Sequence, residues 1–71
     1  MSSFQSRARQ LGSIREYEAD GAGRVYAVYE NGEVLPVGVV LRSLAGQSRI
    51  PLGGFDQAVR AAAEALGEAE R

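Results

Sequence analysis

Three tyrosines and four arginines lie between residues 15 and 49 of this 71-residue sequence, in stretches of strand-forming residues. Aromatic rings on a sheet can stack against bases, and guanidinium groups can hold phosphates. We therefore predict that a sheet face carrying both contacts nucleic acid, helped by two arginines near the N-terminus. The alternative is that the tyrosines form core or dimer contacts and the arginines serve solubility. The predicted nucleic-acid-binding residues are Arg24, Tyr26, Arg42, Arg49, Arg7 and Arg9.

The residue types that usually carry catalysis are missing. The sequence contains no histidine, cysteine or lysine, so it offers no imidazole base, no thiolate nucleophile and no amine for a Schiff base or a phosphate loop. Two carboxylate pairs, Glu16 with Glu18 and Glu30 with Glu33, are better interpreted as solvated charges at strands and turns. We therefore predict that the protein is not an enzyme and uses no cofactor and no metal ion.

Length and charge set further limits. A chain of 71 residues forms one domain, and with no cysteine it has no disulfide to stabilise it. Its net charge of −1 lacks the basic excess of most nucleic-acid binders. No apolar run is long enough to span a membrane, and residues 1–7 lack the apolar core of a signal peptide, so we expect a cytoplasmic protein. The exclusive use of arginine as the basic residue suggests a GC-rich, bacterial coding genome.

The elements that must position these residues can be predicted from residue alternation and turn signals. We predict an α+β domain over residues 13–71, with an antiparallel sheet of three to four strands and a C-terminal helix packed on one face. The strands are expected at residues 14–18, 25–29, 34–42 and 49–52. Asn31-Gly32 predicts a type I′ hairpin turn, because both central residues of that turn need positive φ.

The two ends of the chain follow from helix signals. Gly53-Gly54 is expected to end the sheet, after which Asp56 caps a helix over residues 57–66 that ends at Gly67. Phe55, Val59, Ala62 and Leu66 are spaced to form its buried face. Residues 1–12 are predicted to form either a short N-terminal helix or a flexible arm, because their apolar residues have helical spacing over a very short stretch.

The second predicted strand is apolar on both faces, with Val25, Ala27 and Tyr29 on one side and Tyr26 and Val28 on the other. One helix covers only one face of a sheet, and an antiparallel sheet normally turns a polar face to water. We therefore expect the other face to be covered by the N-terminal segment, a second copy of the chain or a ligand. The predicted row facing the core in the third strand is Leu35, Val37, Val39 and Leu41, and the predicted homodimer interface residues are Tyr29 and Val40.

Two stretches resemble known nucleic-acid-binding domains. Ser48 to Leu52, followed by the helix, resembles the end of a PUR-type repeat over residues 24–68. Such repeats have four antiparallel strands and a helix, pair with one another and bind single-stranded nucleic acid through the sheet. Leu52-Gly53-Gly54-Phe55-Asp56 is similar to the strand-to-helix junction of APETALA-type and integrase arm-binding domains. Both resemblances imply binding through the sheet face, with contacts from Arg24, Tyr26, Arg42 and Arg49.

Two functions follow as expectations. The first is a small, dimeric nucleic-acid-binding or regulatory module that favours single strands and binds through the arginine and tyrosine face. The second is a protein-binding adaptor or inhibitor, of the kind that phages and mobile elements encode. The second rests on the small size, the near-neutral charge and the prolines Pro36 and Pro51, which indicate sheet edges.

Overall fold

The computed structural model describes residues 12–69. Three strands, β1 (Ile14–Ala19), β2 (Arg24–Tyr29) and β3 (Val34–Val40), form one antiparallel sheet in the order β1-β2-β3. A 3₁₀ turn at Arg42–Leu44 and the helix α1 (Leu52–Ala69) follow. The predicted α+β class, with a sheet and a C-terminal helix, is confirmed. The proposed N-terminal arm or short helix lies outside the described residues, as do Arg7 and Arg9. None of the helices in residues 12–69 is long and apolar enough to cross a membrane.

The two hairpins close in the same way. In the first, Gly23 N–H donates to the Asp20 carbonyl and Asp20 N–H to the Arg24 carbonyl. In the second, Gly32 N–H donates to the Tyr29 carbonyl and Tyr29 N–H to that of Glu33. Each is a three-residue loop whose last residue is a glycine with positive φ. The hairpin at Asn31-Gly32 is therefore confirmed, but the type I′ prediction is wrong, because Asn31 does not have a positive φ.

The core lies between the sheet and the chain that follows β3. Its buried members come from β1, β2 and the connection to α1, and they are Ala19, Val25, Leu41, Leu44 and Ile50. Phe55, Ala58 and Ala62 of α1 pack against this cluster. Val25 is the most buried, at 1% exposure. The helix therefore covers one face of the sheet through its first three turns, as predicted. The predicted buried face of the helix is correct at Phe55 and Ala62 but wrong at Val59 and Leu66, which are exposed because they lie beside the residues that meet the core.

The predicted fourth strand is reduced to one bridge. Ile50 and Tyr17 exchange both backbone hydrogen bonds, at 2.7 and 2.8 Å, on the outer edge of β1. Ala19 N–H donates to the Gln47 carbonyl just beyond them. Pairing stops there because the next residue that could bond to β1 is Leu52, which is already the first residue of α1. The chain has thus crossed the end of the sheet from β3 to the far edge of β1.

Helix α1 is longer than predicted at both ends. It begins at Leu52, and the first helical hydrogen bond runs from Phe55 N–H to the Pro51 carbonyl. Proline is well tolerated just before the first turn, where its missing N–H would have no partner anyway. Asp56 therefore lies in the second turn and is not the N-cap. Gly53, Gly54 and Gly67 are accommodated within the helix, although each costs about 1 kcal/mol against alanine.

Candidate binding face of the sheet

The strand register defines which side chains share the face opposite α1, here called the outer face. Residues directly paired across strands lie on the same side. Tyr17 pairs with Ala27 and Ala19 with Val25, so these residues face the helix. The outer face is made of the intervening residues, which are Glu16, Glu18, Arg24, Tyr26, Val28, Val34, Pro36 and Val40.

Two bulges set the edges of this face. The register of β1 against β2 shifts between Ile14 and Glu16, so Ile14 pairs with Tyr29 and faces the helix, on the opposite side of the sheet from Glu16 and Glu18. The larger bulge lies in β3. Between the pairs Arg24–Val40 and Tyr26–Pro36, β2 has one residue and β3 has three. Extra residues of this kind bend a strand and re-aim its side chains.

Gly38 lies at the middle of the β3 bulge with φ of +85°, a conformation that glycine adopts without strain. The bulge breaks the expected alternation of β3. Leu35 and Val39 are half-buried and Leu41 is buried, as predicted, but Val37 is exposed. The prediction of one continuous inward row was therefore wrong at Val37. A two-residue repeat cannot persist through a strand that carries extra residues.

The bulge leaves a depression of about 260 Å³ in the outer face. Its lining includes Arg24, Tyr26, Pro36, Gly38 and Val40. Val40 is 59% exposed and is the most exposed of the large hydrophobic residues on β3. The depression is thus mainly apolar, with one guanidinium group at its border.

The free edge of β3 lies beside this depression. Leu41 N–H donates to the Gly23 carbonyl at one end of the β2–β3 pair, and Tyr29 N–H to Glu33 at the other. Hydrogen-bonded and non-hydrogen-bonded pairs alternate in an antiparallel ladder. The backbone polar groups of Val34, Pro36 and Val40 therefore point away from β2. Among residues 12–69 no strand pairs with this edge, and the missing N–H of Pro36 faces outward, which discourages strand addition there.

The charges of the outer face are segregated. Glu16 and Glu18 lie along β1, whereas β3 carries no charged residue at all. Arg24 is the single basic member of the face as defined above. Arg15, in the β1 bulge, comes within 4.0 Å of the Glu16 carboxylate. The face therefore runs from an acidic strip on one side, through Tyr26, to an apolar strand on the other.

The structure brings together some of the predicted site residues and separates others. Arg24, Tyr26 and Val40 meet at the depression. Arg42 follows in the 3₁₀ turn, where its backbone lies against Gly23. Arg49 is exposed on the far side of β1, next to the bridge at Ile50, and so lies two strands away from Arg24. Tyr29 is half-buried on the helix side of the sheet. The four arginine and tyrosine contacts that the sequence predicted on one surface are thus divided between the β2–β3 side of the sheet and the outer edge of β1.

Tyr17 belongs to the helix side and not to the outer face. Its ring stacks on Phe55 with centroids 4.0 Å apart and an angle of 19° between the planes. Burial raises the pKa of the Tyr17 hydroxyl above its ordinary value, and the negative charge of Asp56 and the neighbouring Tyr29 raise it further. This tyrosine therefore holds α1 against β1 and is not available to a ligand on the outer face.

Sequence reasoning did not identify Pro36 and Gly38 as lining residues. The available signal was a glycine in the middle of an apolar strand, which often marks a bulge or a close backbone approach. Within residues 12–69 no group of three acidic side chains is arranged to hold a metal ion.

Comparisons of this chain with protein-family models, with curated proteins and with solved structures found no match. The resemblances to PUR-type repeats and to arm-binding domains stay predictions. The outer face has to be interpreted from its own residues.

Proposed function

We propose that this protein is a non-enzymatic binding module whose outer face docks a segment of a partner protein. The observation that supports this most strongly is the apolar depression formed by the β3 bulge, which is lined by the half-buried Tyr26 and the exposed Val40. Such depressions accept a bulky apolar side chain, and exposed aromatic residues are common at the centre of protein interfaces.

The charge arrangement favours a protein over a nucleic acid. A nucleic acid laid across the outer face would meet Glu16 and Glu18 on β1, and it would gain only Arg24 from the face itself. Phosphate contacts supply most of the affinity of non-specific nucleic-acid binding. A protein segment has no such requirement. The expected partner segment carries a large apolar side chain for the depression and a basic side chain about 10 Å away, two strand spacings across the sheet, where the glutamates lie.

A displayed random-peptide library, selected on the immobilised full chain, tests this proposal. Enriched peptides should share a bulky apolar residue and a lysine or arginine. Their affinity should fall at least tenfold in Val40→Asp, which places a carboxylate in the apolar depression beside Arg24, and should stay unchanged in Ala61→Asp. The control residue, Ala61, is exposed on α1 and receives the same charge. Failure to enrich any shared sequence, or an equal loss in both variants, contradicts the proposal.

The same preparations should be titrated with labelled single-stranded DNA at low and moderate salt. Micromolar binding that weakens with salt and disappears in Arg24→Ala would make nucleic acid the ligand and overturn the proposal. In that case the slope of log affinity against log salt counts the neutralised phosphates at roughly 0.7 per contact. We expect no binding at moderate salt.

A further inference from the structure

Helix α1 carries more apolar surface than the sheet covers. Phe55, Ala58 and Ala62 pack against the core, and Ala62 is the last residue of α1 in that packing. Three large residues of the same helix remain exposed, namely Leu52 at 45%, Val59 at 39% and Leu66 at 64%. These three residues, called here the helix stripe, lie beside the buried face and not within it.

The helix stripe is regular. Its members are seven residues apart, and seven residues turn an α-helix to within about 20° of its starting direction. They therefore form one narrow line along α1, about 21 Å from Leu52 to Leu66 at 1.5 Å per residue. Packing against the sheet does not explain Leu66, because it continues the line beyond Ala62, where contact with the core ends. A second helix alongside α1 would contact the whole line.

The stripe is also symmetric about its centre. If a second copy of α1 lies antiparallel with Val59 against Val59, Leu52 of each copy meets Leu66 of the other. Every member of the stripe then has an apolar partner. Homodimers with a two-fold axis need this kind of self-complementary surface, in which the same patch serves both subunits.

The charges beside the stripe fit the same alignment. Asp56 and Arg60 lie on the flank of the stripe that faces away from the sheet, about 60° and 100° around the helix from Val59. In the antiparallel pair, the two-fold axis keeps this flank on the same side of both helices. Along the pair, Asp56 lies three residues to one side of the central Val59. Arg60 of the second copy lies one residue to the same side of the centre, because the second helix runs in the opposite direction. Their axial offset is therefore about 3 Å, and two Asp–Arg pairs form.

We infer that the protein forms a homodimer through an antiparallel pair of α1 helices, centred on Val59. A contact about 21 Å long buries less than the roughly 800 Å² per partner of a standard interface, so the dimer is weak and dissociates on dilution into the micromolar range. Because α1 lies on the opposite side of the sheet from the outer face, the dimer presents two outer faces to partners. The inference does not depend on what those faces bind.

Single-cysteine variants test the alignment directly, because the native sequence contains no cysteine. Under mild oxidation at about 200 µM protein, Val59→Cys should yield a covalent dimer, since the two Val59 positions meet at the axis. Leu66→Cys should not, because its two copies lie about 21 Å apart. Mixing Leu52→Cys with Leu66→Cys should yield the mixed dimer. A strong Leu66→Cys homodimer would indicate parallel helices and overturn the inference, as would equal cross-linking of Ala61→Cys on the opposite side of α1.

Sedimentation equilibrium of cysteine-free variants supplies the energetic test. Leu66→Asp should raise the dimer dissociation constant by roughly 50- to 100-fold, since the change occurs at two sites, whereas Ala61→Asp should leave it unchanged. Asp56→Arg should weaken the dimer roughly fivefold, and adding Arg60→Asp should restore it. A wild-type chain that stays monomeric at 1 mM overturns the inference. In that case, loss of thermal stability in Leu66→Asp would show that the stripe is covered within the chain.

Discussion

Replacing Gly23 by alanine should destabilise the fold far more than the same change at Gly32. The two glycines occupy the same position in the two hairpin loops and have similar φ values, +87° and +93°. A Cβ at Gly23 would lie 2.8 Å from the Leu41 carbonyl oxygen and 3.0 Å from the Arg42 Cα, whereas a Cβ at Gly32 meets nothing within 4 Å. The pair therefore separates the cost of the backbone conformation from the cost of the close approach.

The magnitudes follow from these two terms. A left-handed backbone costs an L-residue about 1–2 kcal/mol, which is the whole expected effect of Gly32→Ala. At Gly23 the Cβ also collides with backbone atoms that cannot rotate away, and by comparison with overpacked cores this adds about 1–3 kcal/mol. Gly23→Ala should therefore cost about 2–5 kcal/mol. A domain of this length is stable by about 4–10 kcal/mol, so the variant should be only marginally folded.

Urea denaturation followed by far-UV circular dichroism measures both variants against the wild type. We expect a midpoint for Gly23→Ala well below that of Gly32→Ala, or no folded baseline at all for Gly23→Ala. Equal free energies of unfolding, within about 0.5 kcal/mol, would contradict the close approach at Gly23. They would mean that the segment after β3 does not cross the first hairpin as described, and the hydrogen bond from Leu41 to Gly23 would then be wrong as well.

Three further outcomes are expected. Arg49 has φ of +57°, a conformation that glycine adopts freely and valine does not. Arg49→Gly should therefore melt at a higher temperature than Arg49→Val, with a free energy of unfolding about 1–2 kcal/mol larger. Equal melting temperatures would contradict that backbone conformation. The pKa of Tyr17 is raised in the folded chain above the value of 10 that it has in the unfolded chain. The stabilisation linked to this shift is therefore complete below pH 10 and is lost as the pH rises through the folded-state pKa. Urea midpoints should fall more steeply above pH 10 in the wild type than in Tyr17→Phe. Phe55→Ala should lower the free energy of unfolding by about 2–3 kcal/mol because it removes the stack on Tyr17 and a core contact. Leu66→Ala, measured at low micromolar concentration, should lower it by about 1 kcal/mol or less because Leu66 is exposed. Similar losses in the two variants would mean that α1 does not dock through Phe55.

Sequence predicted the parts of the fold that local chemistry decides. Alternating β-branched and aromatic residues defined β2, and the Asn31-Gly32 signal located the hairpin between β2 and β3. The predicted turn type was wrong because Asn31-Gly32 also suits the last two positions of a three-residue loop, in which only the glycine has positive φ. The predicted start of α1 was wrong because a helix can begin directly after Pro51, despite the low helix propensity of Gly53 and Gly54. The packing of Phe55 against the core outweighs that local propensity.

The candidate site was harder to predict because it depends on register. Arg24, Tyr26 and Val40 were chosen from residue type, and they do lie together. What brings them together is the bulge at Gly38, which no two-residue alternation describes. Arg49 seemed to belong with them as a strand residue, but the chain crosses the end of the sheet before it and carries it to the far edge.

Mapping a selected peptide onto the chain shows whether the outer face docks a protein segment. Backbone amide signals of the ¹⁵N-labelled protein should be followed by NMR as the peptide is added. We expect shifts concentrated at Arg24, Tyr26, Gly38 and Val40, with the exposed side of α1 around Ala61 unaffected. Shifts confined to α1, or spread evenly over the chain with no concentration on the outer face, would contradict it.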